Sequence, residues 1–326
     1  MNESNIKVSI LCLAYNHAKY LRQTLEGFFA QKTNFDYEII IHDDASTDET
    51  ASVIREYAKK YPDVIRPVFQ TENQYSKNVY IMAEYLNPLV RGKYVALCEG
   101  DDYWSDEEKL QRQYDIMEKN PDCSMCVHRI QQILEDGTPT EQFRPAVEMT
   151  ERKIDTQQFL DMQKSYPFQT GCFFMRTELW IDLENNRPAF RNAADVGDEP
   201  ALLYMAAHGN IYYLPYCMSV YRIFSVGSWS GSNKRALEKR CIHSKHVYEM
   251  MRLFDAYTNH QYDCHLSAYK GKMLWLSENY RELARKENRA CMAQLSKKNQ
   301  LFAYTCAVFP FVGRVRKIII ELIKVK

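Results

Sequence analysis

Leu97-Cys98-Glu99-Gly100-Asp101-Asp102-Tyr103-Trp104 sets two adjacent carboxylates directly behind an apolar run. The preceding Lys93-Tyr94-Val95-Ala96 has the composition of a buried strand's end, so the acids fall in a tight turn at its carboxyl terminus. Two neighbouring carboxylates disfavour each other's charge unless something positive sits beside them. A divalent cation meets that need. Hard oxygen ligands suit Mn2+ or Mg2+, which commonly share their coordination with a substrate's phosphates. Taken alone, Asp101-Asp102 suits equally well a solvated turn that caps a helix starting near Ser105. The choice depends on the rest of the chain.

Toward the N-terminus, Lys7 to Leu13 is apolar nearly throughout, as parallel strands are, and ends at Ala14-Tyr15-Asn16-His17. Tyr20, Leu21, Leu25, Phe28 and Phe29 then recur at helical spacing. Tyr37 to His42 is a second strand, ending in Asp43-Asp44-Ala45-Ser46-Thr47-Asp48. Ser46 or Thr47 is expected to cap a helix over Glu49–Tyr61, which Pro62 stops. Ile65 to Phe69 reads as a third strand and Asn78 to Leu89 as a helix. Strand alternating with helix predicts a parallel sheet with crossover helices. Ligands of such sheets bind beyond the carboxyl ends of the strands. Tyr15-Asn16, Asp43-Asp44 and Asp101-Asp102 all fall at those ends, which argues for one cleft and against scattered surface acids.

The second half is less regular. Gln169 to Met175 is expected as a strand, Arg176-Thr177 opens a helix, and Gly197-Asp198-Glu199-Pro200 precedes an apolar helical stretch. Pro in the first turn with acids just before it marks a helix start, so the plain reading of Asp198 is an N-cap. Asn210–Leu214 and Met218–Arg222 read as two strands, and the chain beyond Ser232 as long charged helices. The 42 basic and 42 acidic residues balance, which gives no reason to expect nucleic acid as a partner. Most of the ten cysteines sit in apolar runs and behave as small buried hydrophobes, as in a reducing cytoplasm. Cys123-x-x-Cys126 lacks a second pair at zinc-ligand spacing and is read as structural. No signal-peptide pattern precedes the first strand, so the expected location is cytoplasmic.

Taken together, Val8-Ser9-Ile10 through Tyr15-Asn16, Asp43 to Thr50, Gly92 to Trp104, Thr170-Gly171-Cys172, Gly197-Asp198-Glu199-Pro200 and Ser219-Val220-Tyr221-Arg222 resemble the family 2 glycosyltransferases. These are inverting, nucleotide-sugar-dependent enzymes of the GT-A fold. The resemblance covers residues 5–230. It implies an α/β, mostly parallel twisted sheet flanked by helices. The Rossmann-like nucleotide-binding half would be 5–105, the acceptor-binding half 106–230 and a helical C-terminal extension 231–326. By the same resemblance Asp102 is the metal ligand, for Mn2+ or Mg2+, and Asp101 a ribose or outer contact. Asp44 meets a uracil N–H, Ala14 and Tyr15 pack the base, Asn16 belongs to the nucleotide-sugar site, and Lys77 approaches the diphosphate. Asp198 is the catalytic base, with Glu199 as its alternate. A motif that often carries a His two positions after Arg222 has Phe224 there, and Arg222 or Trp229 is expected to take part of that role.

The implied enzyme is of hexosyltransferase type. It moves a sugar from a nucleotide donor, a UDP-sugar, to a saccharide or lipid-linked acceptor in surface polysaccharide or glycolipid synthesis. Two other classes compete. A nucleotidyltransferase-like sugar-nucleotide enzyme is expected to carry a Gly-rich phosphate loop after the first strand, which this sequence lacks. An inactive sugar-binding module has no need of the retained acids. At the C-terminus, Leu301 to Val312 is apolar but too short to span a bilayer, and Arg314, Arg316, Lys317, Lys324 and Lys326 follow. The pattern fits either a helix lying on an anionic membrane face or one packed on the protein's own core.

Overall fold

The computed structural model describes residues 6–162, 167–223 and 237–313. The expected apolar runs form β1 (Ile6–Ala14), β2 (Asp36–Asp43), β3 (Ile65–Phe69) and β4 (Tyr94–Glu99), with α1 (Ala18–Phe29) and α2 (Thr50–Lys60) as crossovers. These strands pair in parallel in the order β3-β2-β1-β4, and Leu11 of β1 stands between Ile40 and Leu97. Val8, Ile10, Cys12 and Ala14 of β1 share a core with Leu21, Leu25 and Phe28 of α1 and Val53 and Ile54 of α2. Ser9 and Leu11, on the opposite face, are buried too. A strand covered on both faces keeps no polar side, which is why these segments read as continuous apolar runs.

Past the acidic turn come β5 (Tyr103–Trp104), α3 (Lys109–Lys119), β6 (Cys123–Ile133), β7 (Pro139–Arg144), β8 (Arg152–Ile154), α4 (Thr156–Met162), β9 (Phe174–Arg176) and α5 (Thr177–Asn186). After α6 (Ala189–Ala193) and α7 (Asp198–His208), β10 (Asn210–Arg222) completes the sheet. The order continues β4-β9-β6-β10-β5, with β7 on β6 and β8 on β10. β9 runs antiparallel to both neighbours, while β6 and β10 are parallel. The sheet is therefore parallel in its first half and mixed in its second, an α/β sheet flanked by helices.

Four local expectations change. Asn78–Leu89 is not one helix but a π-turn at Met82–Leu86 and a 3-10 turn at Asn87–Leu89, where Pro88 cannot continue a regular helix. Neither Ser46 nor Thr47 caps α2, because the Ser46 hydroxyl is taken by the Asn16 amide. Asn210–Leu214 and Met218–Arg222 belong to a single strand, broken in register around Cys217. Gln169–Met175 yields only a 3-10 turn and the three-residue β9.

The chain divides into two compact units. One holds the residues up to Arg187 and, of the later chain, those from Ala201 to the end of β10; the other holds Pro188–Pro200 and the C-terminal helices. Those helices are α8 (Leu237–Tyr257), α9 (Asp263–Leu276), α10 (Tyr280–Leu283), α11 (Arg289–Ala293) and α12 (Lys297–Val308). Phe190 of α6 meets Phe254 and Tyr257 of α8 edge-on, at 5.4 and 5.2 Å between ring centroids. Leu274, Leu283, Cys291, Met292 and Ala303 form a separate small core. The segment 188–200 thus goes with the C-terminal helices, where the sequence suggested a single division near residue 230.

Candidate active site

The acidic turn is held from three sides. The Gly100 amide donates to Leu13 O at 2.9 Å, which ties the turn to the end of β1. A β-carbon at Gly100 would lie 2.8 Å from His17 Nδ1 and 3.2 Å from Ala14 Cβ, so only glycine allows this approach. From α1, Thr24 Oγ1 donates to Asp102 O at 2.6 Å and Gly100 O at 3.0 Å. From β10, the Arg222 amide donates to Asp102 Oδ1 at 2.7 Å and its Nε to Asp101 O at 3.0 Å. The rest of that buried guanidinium serves Glu135 O, Leu134 O and Gln23 Oε1 and lies over the Tyr20 ring, 4.5 Å from its centroid. Arg222 was expected to touch the nucleotide; in the structure it braces the acidic turn.

Asp101 and Asp102 are both buried. Burial first, then the charges of Asp101 and Glu99, push the Asp102 carboxyl well above the usual carboxylate range, and Arg222 offsets this only in part. A bound dication would place positive charge beside Asp102. Among the described residues no three His, Cys, Asp or Glu side chains converge as a metal cage. Mn2+ and Mg2+ rarely need one, since one or two carboxylates with substrate phosphates and water complete their shell. Asp102, with Asp101 beside it, fits that donor set. Cys123 and Cys126 are both buried in β6, so this pair is packing material.

Beside this turn lie the ends of β1 and β2. Asn16 stands in the left-handed region, φ 56°, a conformation that Asn tolerates, and its Oδ1 accepts from the Thr47 amide at 2.8 Å. Asp48 accepts from the Ala18 and Thr50 amides at 3.0 and 2.9 Å, so the two strand-to-helix loops brace each other. Tyr15 is 45% exposed at this edge, with Ala14 buried beneath the turn. Asp44 is buried, and its two carboxylate oxygens accept the amides of Gln74 and Tyr75 at 2.7 and 3.0 Å. Lys77 follows on the same 3-10 turn but is exposed and paired with Glu72. Phe224 and Trp229 lie outside the described residues.

Asp198 and Glu199 open α7 and belong with the second unit. Asp198 is not an N-cap outside the helix; it is in the first turn, and its Oδ1 accepts the Glu199 amide at 2.9 Å. Glu199 is 3% exposed and its Oε2 has no partner. Burial, then Asp198 and Asp195, push Glu199 up to about 8, against a smaller pull from Lys272. Burial also raises Asp198, while the Glu199 amide and the charges of His243 and Arg191 pull it back. Nearby, Asp195 accepts His243 Nδ1 at 2.9 Å and lies 3.5 Å from His246 Nδ1. Sequence reasoning missed Thr24, Asp195 and His243. Their partners are far along the chain, and no spacing pattern marks them.

The Glycosyl transferase family 2 profile matches residues 9–183. An uncharacterized protein of Mycobacterium tuberculosis is 34% identical over 224 residues, covering 68% of this chain and 60% of that protein. This chain therefore spans less than two thirds of that relative's length. The poly(ribitol-phosphate) beta-glucosyltransferase of Bacillus spizizenii is 28% identical over 156 residues, 46% of this chain and 23% of that enzyme. Among solved structures, S. aureus TarS 1-349 in complex with UDP-GlcNAc superposes with a TM-score of 0.58 at 16% identity, over 89% of this chain and 80% of that one. That likeness shows a common GT-A-like fold. Profile match, fold and the acidic turn at the end of β4 agree: this chain belongs to the family 2 glycosyltransferases.

Proposed function

We propose that the protein transfers a sugar from a nucleotide donor, a UDP-sugar, to a hydroxyl of a saccharide or lipid-linked acceptor with inversion, in the building of a surface polysaccharide or glycolipid. The observation that carries this reading is the buried Asp101-Asp102 turn at the carboxyl end of β4 and beside the ends of β1 and β2. The polysaccharide assignment draws on the B. spizizenii relative, and the UDP-sugar on the ligand named with TarS.

Asp102, with Asp101, would hold Mn2+ or Mg2+. When bound, the metal neutralises the diphosphate that leaves with the nucleotide. Thr24 and Arg222 fix the position of Asp102, so the carboxylate needs no rearrangement to meet its ligand. Asp44 and Tyr15, at the ends of neighbouring strands, are the residues we assign to the nucleotide base. In the transfer the acceptor oxygen bonds to the anomeric carbon, and the bond from that carbon to the diphosphate oxygen breaks. The acceptor's proton passes to a carboxylate, which we assign to Asp198. Glu199, raised to about 8, holds its own proton at neutral pH, which supports Asp198 over its neighbour as the acceptor of that proton.

The test is a panel of nucleotide sugars scored for nucleotide release, with and without Mn2+. Release of UDP from one donor, abolished by EDTA and by Asp102→Asn, is expected. The Asn side chain still accepts the Arg222 amide, so the fold should stand. Activity that survives in EDTA would remove the metal role. A nucleotidyltransferase would release no UDP, and with added pyrophosphate would instead turn the nucleotide sugar into a nucleoside triphosphate and a sugar 1-phosphate.

A further inference from the structure

α12 has two faces of different use. Ala303 and Cys306 are buried, and the Phe302 ring meets Trp275 and Tyr280 at 5.9 and 5.7 Å, so one face closes the small C-terminal core. The outward stripe is Lys297, Leu301, Tyr304 and Val308, spaced four, three and four residues apart on one side of the helix. Leu301 is 71% exposed, Tyr304 47% and Val308 68%; beyond the helix Phe309 is 53% and Phe311 62% exposed. Thirteen large hydrophobics are exposed among the described residues, and five of them fall between Leu301 and Phe311. Exposed apolar residues scattered singly need no account, but a contiguous group marks a contact surface.

Charge identifies the partner. From Asn288 to Ile320 the sequence has no Asp or Glu, yet holds Arg289, Lys297, Lys298, Arg314, Arg316 and Lys317, in a chain whose charges balance overall. Lys297 and Lys298 sit in the first turn of α12, where the helix dipole disfavours cations. Their position therefore does nothing for the helix itself. A second copy of this chain is a poor occupant, since a two-fold contact would set like charges face to face. No helix among the described residues is long and apolar enough to cross a membrane.

We propose that the outward face of α12, with Phe309 and Phe311, docks on the surface of a lipid bilayer rich in anionic headgroups. The apolar stripe enters the headgroup boundary, Tyr304 keeps its hydroxyl at the polar level, and the lysines meet the lipid phosphates. This goes beyond sugar transfer and stands or falls without it, because its test reads binding and not activity.

The experiment is vesicle co-sedimentation of the full chain, using phosphatidylcholine vesicles with and without phosphatidylglycerol. Binding to the anionic vesicles alone, weakened by salt, is expected. Leu301→Ser, Val308→Ser, Phe309→Ser and Phe311→Ser combined should abolish it with the far-UV circular dichroism unchanged, since these side chains are exposed. Lys297→Gln and Lys298→Gln should each weaken partitioning about fivefold. Equal binding to neutral vesicles, no binding to either, or unaltered binding by both sets of variants would overturn the proposal. So would a dimer in solution that the serine variant dissolves.

Discussion

Glu199 offers a measurement in which pH alone reads out the environment at the start of α7. The side chain is 3% exposed, one of its oxygens has no partner, and its pKa stands at about 8 against an ordinary 4.5. Because the folded-state value is the higher one, the native protein binds a proton that the unfolded chain releases. Below about 4.5 both states carry that proton and it has no effect on stability. Between 4.5 and about 8 the unfolded chain ionises while the native state does not, so stability falls as pH rises. Above about 8 the native state must hold the charge in a buried site next to Asp198 and Asp195. At about 1.4 kcal/mol per pKa unit, that gap corresponds to on the order of 5 kcal/mol. Glu199→Gln keeps the shape of the protonated acid and cannot titrate. Urea unfolding of both proteins should show little difference near pH 4.5, and a growing advantage for the variant up to about pH 9. If the two stability curves run parallel across that range, Glu199 is not held protonated in the native state. The preference for Asp198 over Glu199 as base then loses its support.

Other perturbations test the proposed roles one residue at a time. Asp198→Asn should lower kcat about 10²–10⁴-fold with UDP affinity unchanged, measured by steady-state transfer and by calorimetric titration of UDP; near wild-type kcat would place the base elsewhere. Asp44→Ala should raise the donor's KM more than it lowers kcat, because base contacts act alike in ground and transition states. It should also cost about 1–3 kcal/mol in chemical unfolding, since the Gln74 and Tyr75 amides lose their acceptor. Thr24→Val removes the hydroxyl that holds Asp102 O and Gly100 O; Mn2+ affinity, read by metal titration, should drop while metal-free UDP binding stays. Unchanged Mn2+ affinity would show that the turn keeps its shape without this brace.

The fold was most legible where burial is two-sided. β1, β2 and β4 carry apolar residues on both faces because helices cover the sheet, whereas a strand with one wet face would alternate. Legibility fell where pairing decides the structure and propensity does not. β9 is three residues long and exists because β4 and β6 lie on either side of it. Nothing in Phe174-Met175-Arg176 alone announces an antiparallel strand. β10 holds together through Pro215-Tyr216-Cys217 because β6 resumes its register beyond the irregularity, so a break in composition is not a break in the strand.

The site divides along similar lines. Acids at strand ends were readable because their position follows from the strand pattern, which placed Asp44, Asp101 and Asp102 at one end of the sheet. What each acid touches was not readable. Asp44 meets amides thirty residues away, and Asp102 is fixed by Thr24 and by Arg222, from opposite ends of the unit's sequence. Arg222 is a case in point. The resemblance suggested a nucleotide contact from its motif, and no sequence pattern shows that its donors serve carbonyl oxygens and Gln23 beneath the acidic turn. Its backbone amide, which any residue could supply, is the group that reaches the Asp102 carboxylate. Asp102 remains well above the ordinary carboxylate range with Arg222 in place. If Asp102 holds a metal as proposed, a turn already fixed by Thr24, Gly100 and Arg222 would meet it without first having to be ordered.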